Sequence, residues 1–260
     1  MKKRYFLISL IALMLLAGCH SQKVIESRPN DFMNQEEIIP KSAENRSDTL
    51  ERYLAYASTL ENFYLDKIST YGIQSGEPVS GPDFSQNKFA IYDVDGDGKD
   101  ELMIVYTTDA MAGQAEYIYG YRADTNEVFE KFVNSPFCTI YDNGVIVADL
   151  SHNQGTAGMN FWPFWLHQYN TDSQKYEQVA LVDAWDKSYM EVNFDGTPFP
   201  DELDIDHDGF LYYVQKNGQE TEIMNLSEYK EWLDSYLENA KELEIPFVDY
   251  TEANYKSIEK

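Results

Sequence analysis

Hydrophobic and polar positions along the chain predict a set of short strands between two amphipathic helices. Apolar residues recur at helical spacing after Asp48 and Glu51, a capping-box signal, and continue to Gly72. Asn225 and Glu228 repeat that signal ahead of a second apolar stripe. Between the two helices, aromatic and β-branched runs alternate with turn residues, as antiparallel strands do. The predicted strands are 88–92, 102–107, 116–121, 128–133, 138–141, 145–148, 161–169, 176–184, 210–215 and 220–224.

Turn chemistry between these strands predicts hairpins at 123–126, 142–144 and 216–219, where Asn, Asp and Gly concentrate. The fold class expected is therefore α+β. An antiparallel sheet of several short strands would be bracketed by an N-terminal and a C-terminal amphipathic helix, in a single domain at 47–260.

Charge narrows the range of partners. The chain has 45 acidic and 20 basic residues, for a formal net charge of −25, while 43% of it is hydrophobic and 15% aromatic. That apolar content is enough for one core and exceeds what disordered acidic segments carry. The negative field repels phosphate backbones, so nucleic acid is excluded as an expected partner and cations are favoured.

The N-terminus has the anatomy of a secretory signal. Lys2, Lys3 and Arg4 precede the uncharged run 5–16, which is shorter than the ~20 residues that a membrane-spanning helix needs. The run ends in Leu16-Ala17-Gly18-Cys19, which resembles the lipobox of bacterial lipoproteins.

This resemblance implies that residues 1–18 are a signal peptide removed before Cys19, and that the Cys19 thiol carries diacylglycerol. The protein would then be extracytoplasmic and anchored to the bacterial cell membrane by lipid alone. Residues 19–46 are polar and aperiodic, and are predicted to form a flexible tether.

The acidic loop 93–101 carries the clearest chemistry. Numbered from Asp93, it has carboxylates at positions 1, 3, 5 and 9, a glycine at position 6 and a backbone carbonyl for a ligand at position 7. Calcium takes six to eight oxygen ligands, and alternate acids allow a loop to wrap around it. The predicted calcium ligands are Asp93, Asp95, Asp97, Lys99 through its carbonyl, and Glu101.

Position 12 of this loop is Ile104, so the bidentate glutamate of a true EF-hand is missing, and the flanks read as strands. The loop resembles instead the strand-flanked DxDxDG sites of integrin-type, FG-GAP and VCBS-like repeats. The order of tether, helix, acidic hairpin, aromatic strands and helix is also similar to lipoproteins of Gram-positive gut-type bacteria that carry no assigned activity. Whether the host has one membrane or two stays open.

A second copy of the pattern occurs at 204–209. Its candidate ligands are Asp204, Asp206, Asp208 and the Phe210 carbonyl. Position 9 is Tyr212, so the site lacks an acid unless Asp195, Asp201 or Glu202 supplies one. An ion site and an acidic turn without an ion remain equal alternatives here.

Catalytic signatures are missing from the sequence: it has no phosphate-binding glycine loop, nucleophile elbow or zinc spacing. Cys138 with His152 or His167 is the one conceivable thiol–imidazole pair, but its apolar context predicts a buried cysteine instead.

The leading hypothesis is thus a calcium-binding, lipid-anchored surface protein without catalytic activity. An alternative is recognition of cell-wall glycan, an imported sugar or a protein partner through Trp162, Trp165 and Trp185. An exported hydrolase is the third hypothesis.

Overall fold

The computed structural model describes residues 46–75, 83–150 and 155–258. Its helices are α1 (Arg46–Ser75), α2 (Leu226–Leu237) and α3 (Glu252–Tyr255). Its strands are β1 (Lys88–Tyr92), β2 (Glu101–Tyr106), β3 (Ala115–Arg122), β4 (Glu127–Asn134), β5 (Thr139–Ile140), β6 (Val145–Asp149), β7 (Phe164–Asn170), β8 (Lys175–Asp186), β9 (Phe210–Lys216), β10 (Glu222–Met224) and β11 (Val248–Asp249).

The predictions for the N-terminal part of the chain concern residues that the structure does not describe. The signal peptide, Cys19 and all of the predicted tether except Arg46 lie outside the described residues. The described residues all belong to one compact unit. Within the described ranges, no helix is long and apolar enough to cross a membrane.

The strands form two antiparallel sheets. The first sheet has the order β11-β1-β2-β3-β4 and the second has the order β10-β9-β8-β7-β6-β5. Antiparallel sheets with a few helices agree with the α+β prediction, but the sequence led us to expect one sheet. Alternation along a strand reveals its two faces without revealing which strands lie beside it, so the division into two sheets was not predictable.

The turn residues and the second capping box predicted the structure correctly. The predicted hairpins join β3 to β4, β5 to β6 and β9 to β10. At α2, the Asn225 side chain accepts the N–H groups of Ser227 and Glu228, and the Glu228 carboxylate accepts the Asn225 N–H. Helix α1 is different, because it begins at Arg46 and places the predicted cap Asp48 inside the helix.

Three of the four hydrophobic clusters in the described residues join the helices and sheets. The central strand β2 is buried along its whole length because both of its faces are covered. Leu102 and Ile104 lie in a cluster with Tyr56 and Leu60 of α1. Met103 faces the opposite way, into a cluster shared by the two sheets. The third cluster joins the other face of the second sheet to Tyr229 of α2.

The C-terminal segment returns to the start of the fold. Strand β11 pairs with β1, and the next residue, Tyr250, is fully buried. Its hydroxyl donates to the carbonyl of Leu60 in α1 at 2.6 Å. The sequence did not predict β11, since two residues are too few to show alternation.

Buried and partly buried polar groups lie where the sheets meet. This seam consists of Glu116, Asn134, Cys138 and His167. The Glu116 carboxylate accepts the Cys138 N–H at 3.0 Å, and the Asn134 amide lies 3.3 Å from His167 Nε2. Burial raises the pKa of Glu116 to about 7 and lowers the pKa of His167 to about 4. Both groups are therefore neutral in the folded seam at mildly acidic pH.

These two shifts have opposite effects on stability. Between pH 4 and 6.5 the unfolded chain binds a proton at His167 that the folded chain refuses, so this group destabilises the fold as pH falls. Between pH 4.5 and 7 the folded chain keeps a proton on Glu116 that the unfolded chain releases, so this group destabilises the fold as pH rises. The two contributions offset one another in the native chain.

Single substitutions should separate the contributions of His167 and Glu116 to the pH dependence of stability. Relative to the native chain, we expect the free energy of unfolding of His167→Asn to rise by about 1 kcal/mol per pH unit as pH falls from 6.5 to 4.5. For Glu116→Gln it should rise as pH increases from 4.5 to 7. Urea unfolding at several pH values measures both slopes. If the difference in free energy of unfolding between each variant and the native chain did not change with pH, the pKa values of His167 and Glu116 would not be shifted in this way.

Candidate cation sites

The first acidic loop is the turn of the hairpin that joins β1 to β2, where Tyr92 pairs with Glu101. The predicted strand flanks are therefore confirmed. The Asp93 carboxylate accepts the N–H groups of Gly96 at 2.9 Å and Gly98 at 3.0 Å. Asp97 accepts the N–H of Lys99 at 2.8 Å. The loop is thus folded around its own carboxylates.

Three of the predicted ligands converge. Asp93, Asp95 and Glu101 each offer an oxygen within 4.8 Å of the others. Calcium–oxygen distances of about 2.3–2.6 Å allow oxygens spaced in this way to contact one ion. Asp97 lies outside this group and is exposed, as is Lys99. The carboxylate set therefore fits calcium, although with one acid fewer than the sequence predicted.

An internal cation already lies among these oxygens. The Lys131 ammonium is 2.6 Å from Asp95 Oδ2 and 2.6 Å from Glu101 Oε1. All three side chains are at most 5% exposed. Burial lowers the pKa of Lys131, but the Glu101 and Asp95 carboxylates outweigh it and hold that pKa above its ordinary value. The lysine is charged and neutralises part of the loop.

A β-bulge brings Lys131 to this position. In the pairing of β3 with β4, Ile118 lies opposite Phe132 and Tyr119 lies opposite Glu130, which leaves Lys131 as the extra residue. Bulges of this kind redirect a side chain. Gly120 makes room for it, because a Cβ at Gly120 would lie 2.5 Å from Lys131 Cε. Alternation of apolar and polar residues predicts where a strand lies but does not reveal a bulge in it. The role of Lys131 beside the first loop was therefore not predicted.

Other elements also contact the first loop. The hydroxyl of Tyr53 donates to the Asp100 carboxylate at 2.6 Å, and that of Tyr56 donates to the Asp100 carbonyl at 3.0 Å. From the second sheet, the Tyr176 hydroxyl donates to the carbonyl of Val94 at 3.3 Å. The loop consequently links α1, the first sheet and the second sheet.

The second acidic loop also brings three carboxylates together, but from positions 1, 3 and 5. Asp204, Asp206 and Asp208 each offer an oxygen within 4.8 Å of the others. Asp204 is buried and accepts the N–H of Gly209 at 3.0 Å, and Asp208 accepts the N–H of Phe210 at 2.8 Å. Across the described part of the chain, no lysine or arginine forms an ion pair with these three carboxylates.

Asp186 is a further acid near the second loop that the sequence analysis missed, although it lies outside the converging oxygens and accepts N–H groups of Asn160 and Ser188. It is the last residue of β8, is 7% exposed, and pairs with Phe210 at the start of β9. Burial raises the pKa of Asp208, and the carboxylates of Asp206, Asp204 and Asp186 raise it further. Only the register of β8 with β9 places Asp186 near the loop, so no local signal could have revealed it.

The acids that might have completed the second loop have other roles. Asp195 accepts the N–H of Thr197 in a separate turn, and Asp201 pairs with Lys187. Glu202 is exposed, and the structure gives it no place in the group of converging oxygens.

The three tryptophans predicted as ligand-binding residues occupy different environments. Trp185 is 3% exposed and packs in a core cluster with Phe199 and Leu211. Trp165 is partly buried against the cluster between the sheets. Trp162 is also partly buried, and its indole N–H donates to the carbonyl of Leu150. Trp185 therefore has no free face for stacking on a sugar.

The conceivable thiol–imidazole pair gains no support. Cys138 donates to the carbonyl of Ser135 at 3.2 Å, and burial raises its pKa well above the ordinary value of a thiol. His167 Nε2 is bonded to Asn134, and His152 lies outside the described residues. A protonated, partly buried thiol is a poor nucleophile.

Comparison with known proteins yields no relative. No protein-family model, no curated protein and no solved structure matches this chain.

Substitution of Gly120 tests whether this glycine is needed to make room for the Lys131 side chain. In Gly120→Ala the added methyl group would lie 2.5 Å from Lys131 Cε, so the buried lysine side chain must shift away from its position between Asp95 and Glu101. We expect a loss of about 1–3 kcal/mol in the free energy of unfolding, because the shift overpacks the site and weakens a buried ion pair. Chemical denaturation of the purified variant measures this loss.

The matched control is the same substitution in a Lys131→Ala background. There the methyl group no longer meets the lysine, and its cost should fall by at least half. An equal cost in both backgrounds would assign the effect to Phe129, whose ring carbons lie 3.0 Å from the added Cβ.

Proposed function

We propose that this protein is a lipid-anchored, extracytoplasmic calcium-binding protein without catalytic activity. The observation that carries the calcium part is that two separate loops each bring three carboxylates together, at positions 1, 3 and 9 in the first loop and 1, 3 and 5 in the second. In both loops the first acid accepts the N–H of the glycine at position 6, and the fifth-position acid accepts the N–H of position 7.

The surroundings of the two loops differ, which strengthens this argument. The first loop joins two paired strands directly, whereas the second ends the long connection between β8 and β9. A shared turn requirement therefore does not account for the shared acids. Clustered carboxylates repel one another unless a cation compensates them, and Lys131 supplies such a cation to the first loop alone.

The two loops should consequently respond differently to calcium. An ion that enters the first loop must displace the Lys131 ammonium from two carboxylates, and that displacement opposes binding. The second loop has Asp204, Asp206 and Asp208, with Asp186 nearby, and binding there displaces no ammonium. We infer that calcium acts mainly at the second loop.

The finer description of the fold is part of this proposal. We propose that α1 and α2 bracket the pair of sheets. Two core clusters support this arrangement, because one joins α1 to the first sheet and another joins α2 to the second sheet.

Anchoring rests on the sequence. The lipobox-like Leu16-Ala17-Gly18-Cys19 follows a basic start and an apolar run, and it supports acylation of the Cys19 thiol. Acyl chains contribute about 0.8 kcal/mol per buried CH₂, so two or three chains hold a folded domain at a membrane.

Calcium should stabilise the fold. At ten times Kd, calcium that binds only the native state adds roughly 1.4 kcal/mol, which raises the Tm of a domain of this size by about 3–6 °C. Magnesium should do less, because it requires tighter octahedral geometry. Thermal unfolding of the acyl-free chain in chelator and in millimolar calcium measures the shift. Identical midpoints would refute calcium binding.

Three variants assign the effect to a loop. Asp206→Asn should remove most of the shift, whereas Asp124→Asn, at an exposed hairpin turn, should leave it unchanged. Lys131→Met should enlarge the shift, since calcium no longer competes with an ammonium group. A full shift retained by Asp206→Asn and lost in Asp93→Asn would place the main site in the first loop.

Lipidation has a direct test. Cys19→Ser removes the only thiol at the predicted cleavage site, so the precursor should remain unprocessed there and take up no labelled palmitate. Cys138→Ser is the matched control and should be labelled like the native chain. Labelling of Cys19→Ser would refute the anchoring proposal.

A further inference from the structure

The connection between β8 and β9, residues 187–209, combines exposed apolar side chains with a dense negative charge. We call it the display loop. Five of the fourteen exposed large apolar side chains in the described ranges belong to it: Tyr189, Val192, Phe194, Leu203 and Ile205. Phe194 is 81% exposed and Ile205 is 70% exposed. Solvent contact by such side chains is costly when it is concentrated in one segment.

The loop is folded, so this exposure is not caused by missing structure. Its residues 191–199 form a small hairpin in which the Asn193 N–H donates to Thr197 and the Phe199 N–H donates to Glu191. Phe199 is buried against Trp185, and the Trp185 indole N–H donates to the carbonyl of Met190. The framework holds Phe194 at the hairpin turn, with its ring in solvent.

The charge of the display loop selects the kind of partner. Seven acids and one lysine occur between 187 and 209, and the lysine is paired with Asp201. Six of these acids are exposed: Glu191, Asp195, Asp201, Glu202, Asp206 and Asp208. Such a field repels phosphate backbones and anionic lipid headgroups, and it attracts cations. Phe194 and Ile205 each adjoin acidic residues in the chain, so a partner that contacts either apolar side chain also meets carboxylates.

We propose that the display loop is a docking surface for a cationic peptide segment of a partner protein that carries large apolar side chains. Basic groups of the segment pair with the exposed carboxylates, and its apolar groups cover Phe194 and Ile205. Charge complementarity gives fast association, and burial of the two exposed side chains gives residence time. The display loop includes Asp204, Asp206 and Asp208, so the docking test is made without calcium, where its failure does not bear on calcium binding.

The test uses the full-length chain in phosphatidylcholine nanodiscs, with empty nanodiscs as the blank, in chelator. The probe is a fluorescent twelve-residue peptide of the repeat Lys-Leu-Leu-Lys, followed by anisotropy. One comparison peptide has glutamate in place of lysine and another has serine in place of leucine. Only the probe with both lysine and leucine should bind strongly, because the surface offers both charge and apolar area.

Variants then locate the binding surface. Phe194→Ser combined with Ile205→Ser should weaken binding about tenfold, which corresponds to roughly 1.4 kcal/mol. The matched control, Leu65→Ser combined with Met111→Ser, changes two exposed apolar residues elsewhere and should alter the affinity less than about twofold.

Charge needs its own pair of variants, because the whole protein is acidic. Asp195→Asn combined with Glu202→Gln should weaken binding more than Asp124→Asn combined with Asp172→Asn, which removes the same charge from other exposed turns. Unchanged Tm values verify that each variant is folded.

Three outcomes would overturn the proposal. Equal weakening by the display-loop and control pairs would reduce the interaction to overall charge. Equal binding of the serine peptide would eliminate the role of the apolar side chains. Stronger binding to phosphatidylglycerol vesicles than to the peptide, lost in the Phe194 and Ile205 variant, would identify a membrane as the partner.

Discussion

The ion pairs of Lys131 with Asp95 and Glu101 are the constraint on which the first sheet and its neighbours depend. Three charges are almost completely withdrawn from water, and each ammonium–carboxylate distance is 2.6 Å. Burial of these groups is tolerable only while all three remain together. The bulge in β4 directs the lysine side chain towards the two carboxylates, and Gly120 in β3 leaves the space that this side chain occupies.

The two acidic loops differ in what compensates the negative charge of their carboxylates. In the first loop an amino-acid side chain supplies the positive charge. In the second, backbone N–H groups donate to Asp204 and Asp208, but no basic side chain pairs with the cluster within the described residues. Partial charges compensate a carboxylate less fully than an ammonium group does. This difference supports the proposal that an external cation acts mainly at the second loop.

Sequence reasoning succeeded where the controlling interactions are local. Helix α2 begins where Asn225 and Glu228 cap each other, and three hairpins occur at their predicted turns. It also found both acidic loops, since their spacing is contained within nine residues. It did not separate the strands into two sheets, because the neighbours of a strand are chosen by packing across the whole domain.

The site residues that escaped prediction share one property: their role arises from tertiary pairing. Lys131 reaches the first loop through a bulge, and Asp186 reaches the second through the register of β8 with β9. Trp185 was mistaken for a surface candidate because an aromatic residue beside a turn looks the same in sequence whether it is buried or exposed. Asp97 has the predicted spacing, yet its carboxylate does not join the converging oxygens.

The return of β11 to β1 has a bearing on the order of folding. Tyr250 closes on Leu60 across 190 residues, and β11 forms an edge of the first sheet. A contact of such long range is made late, since the entropy of closing the chain must be lost before the contact is gained. While the chain emerges in sequence order, β1 lacks its outer neighbour until residues 248–250 have appeared. Its edge is open for pairing with other strands throughout that interval. Folding of this protein is consequently an event that follows synthesis of nearly the whole domain, rather than one that accompanies it.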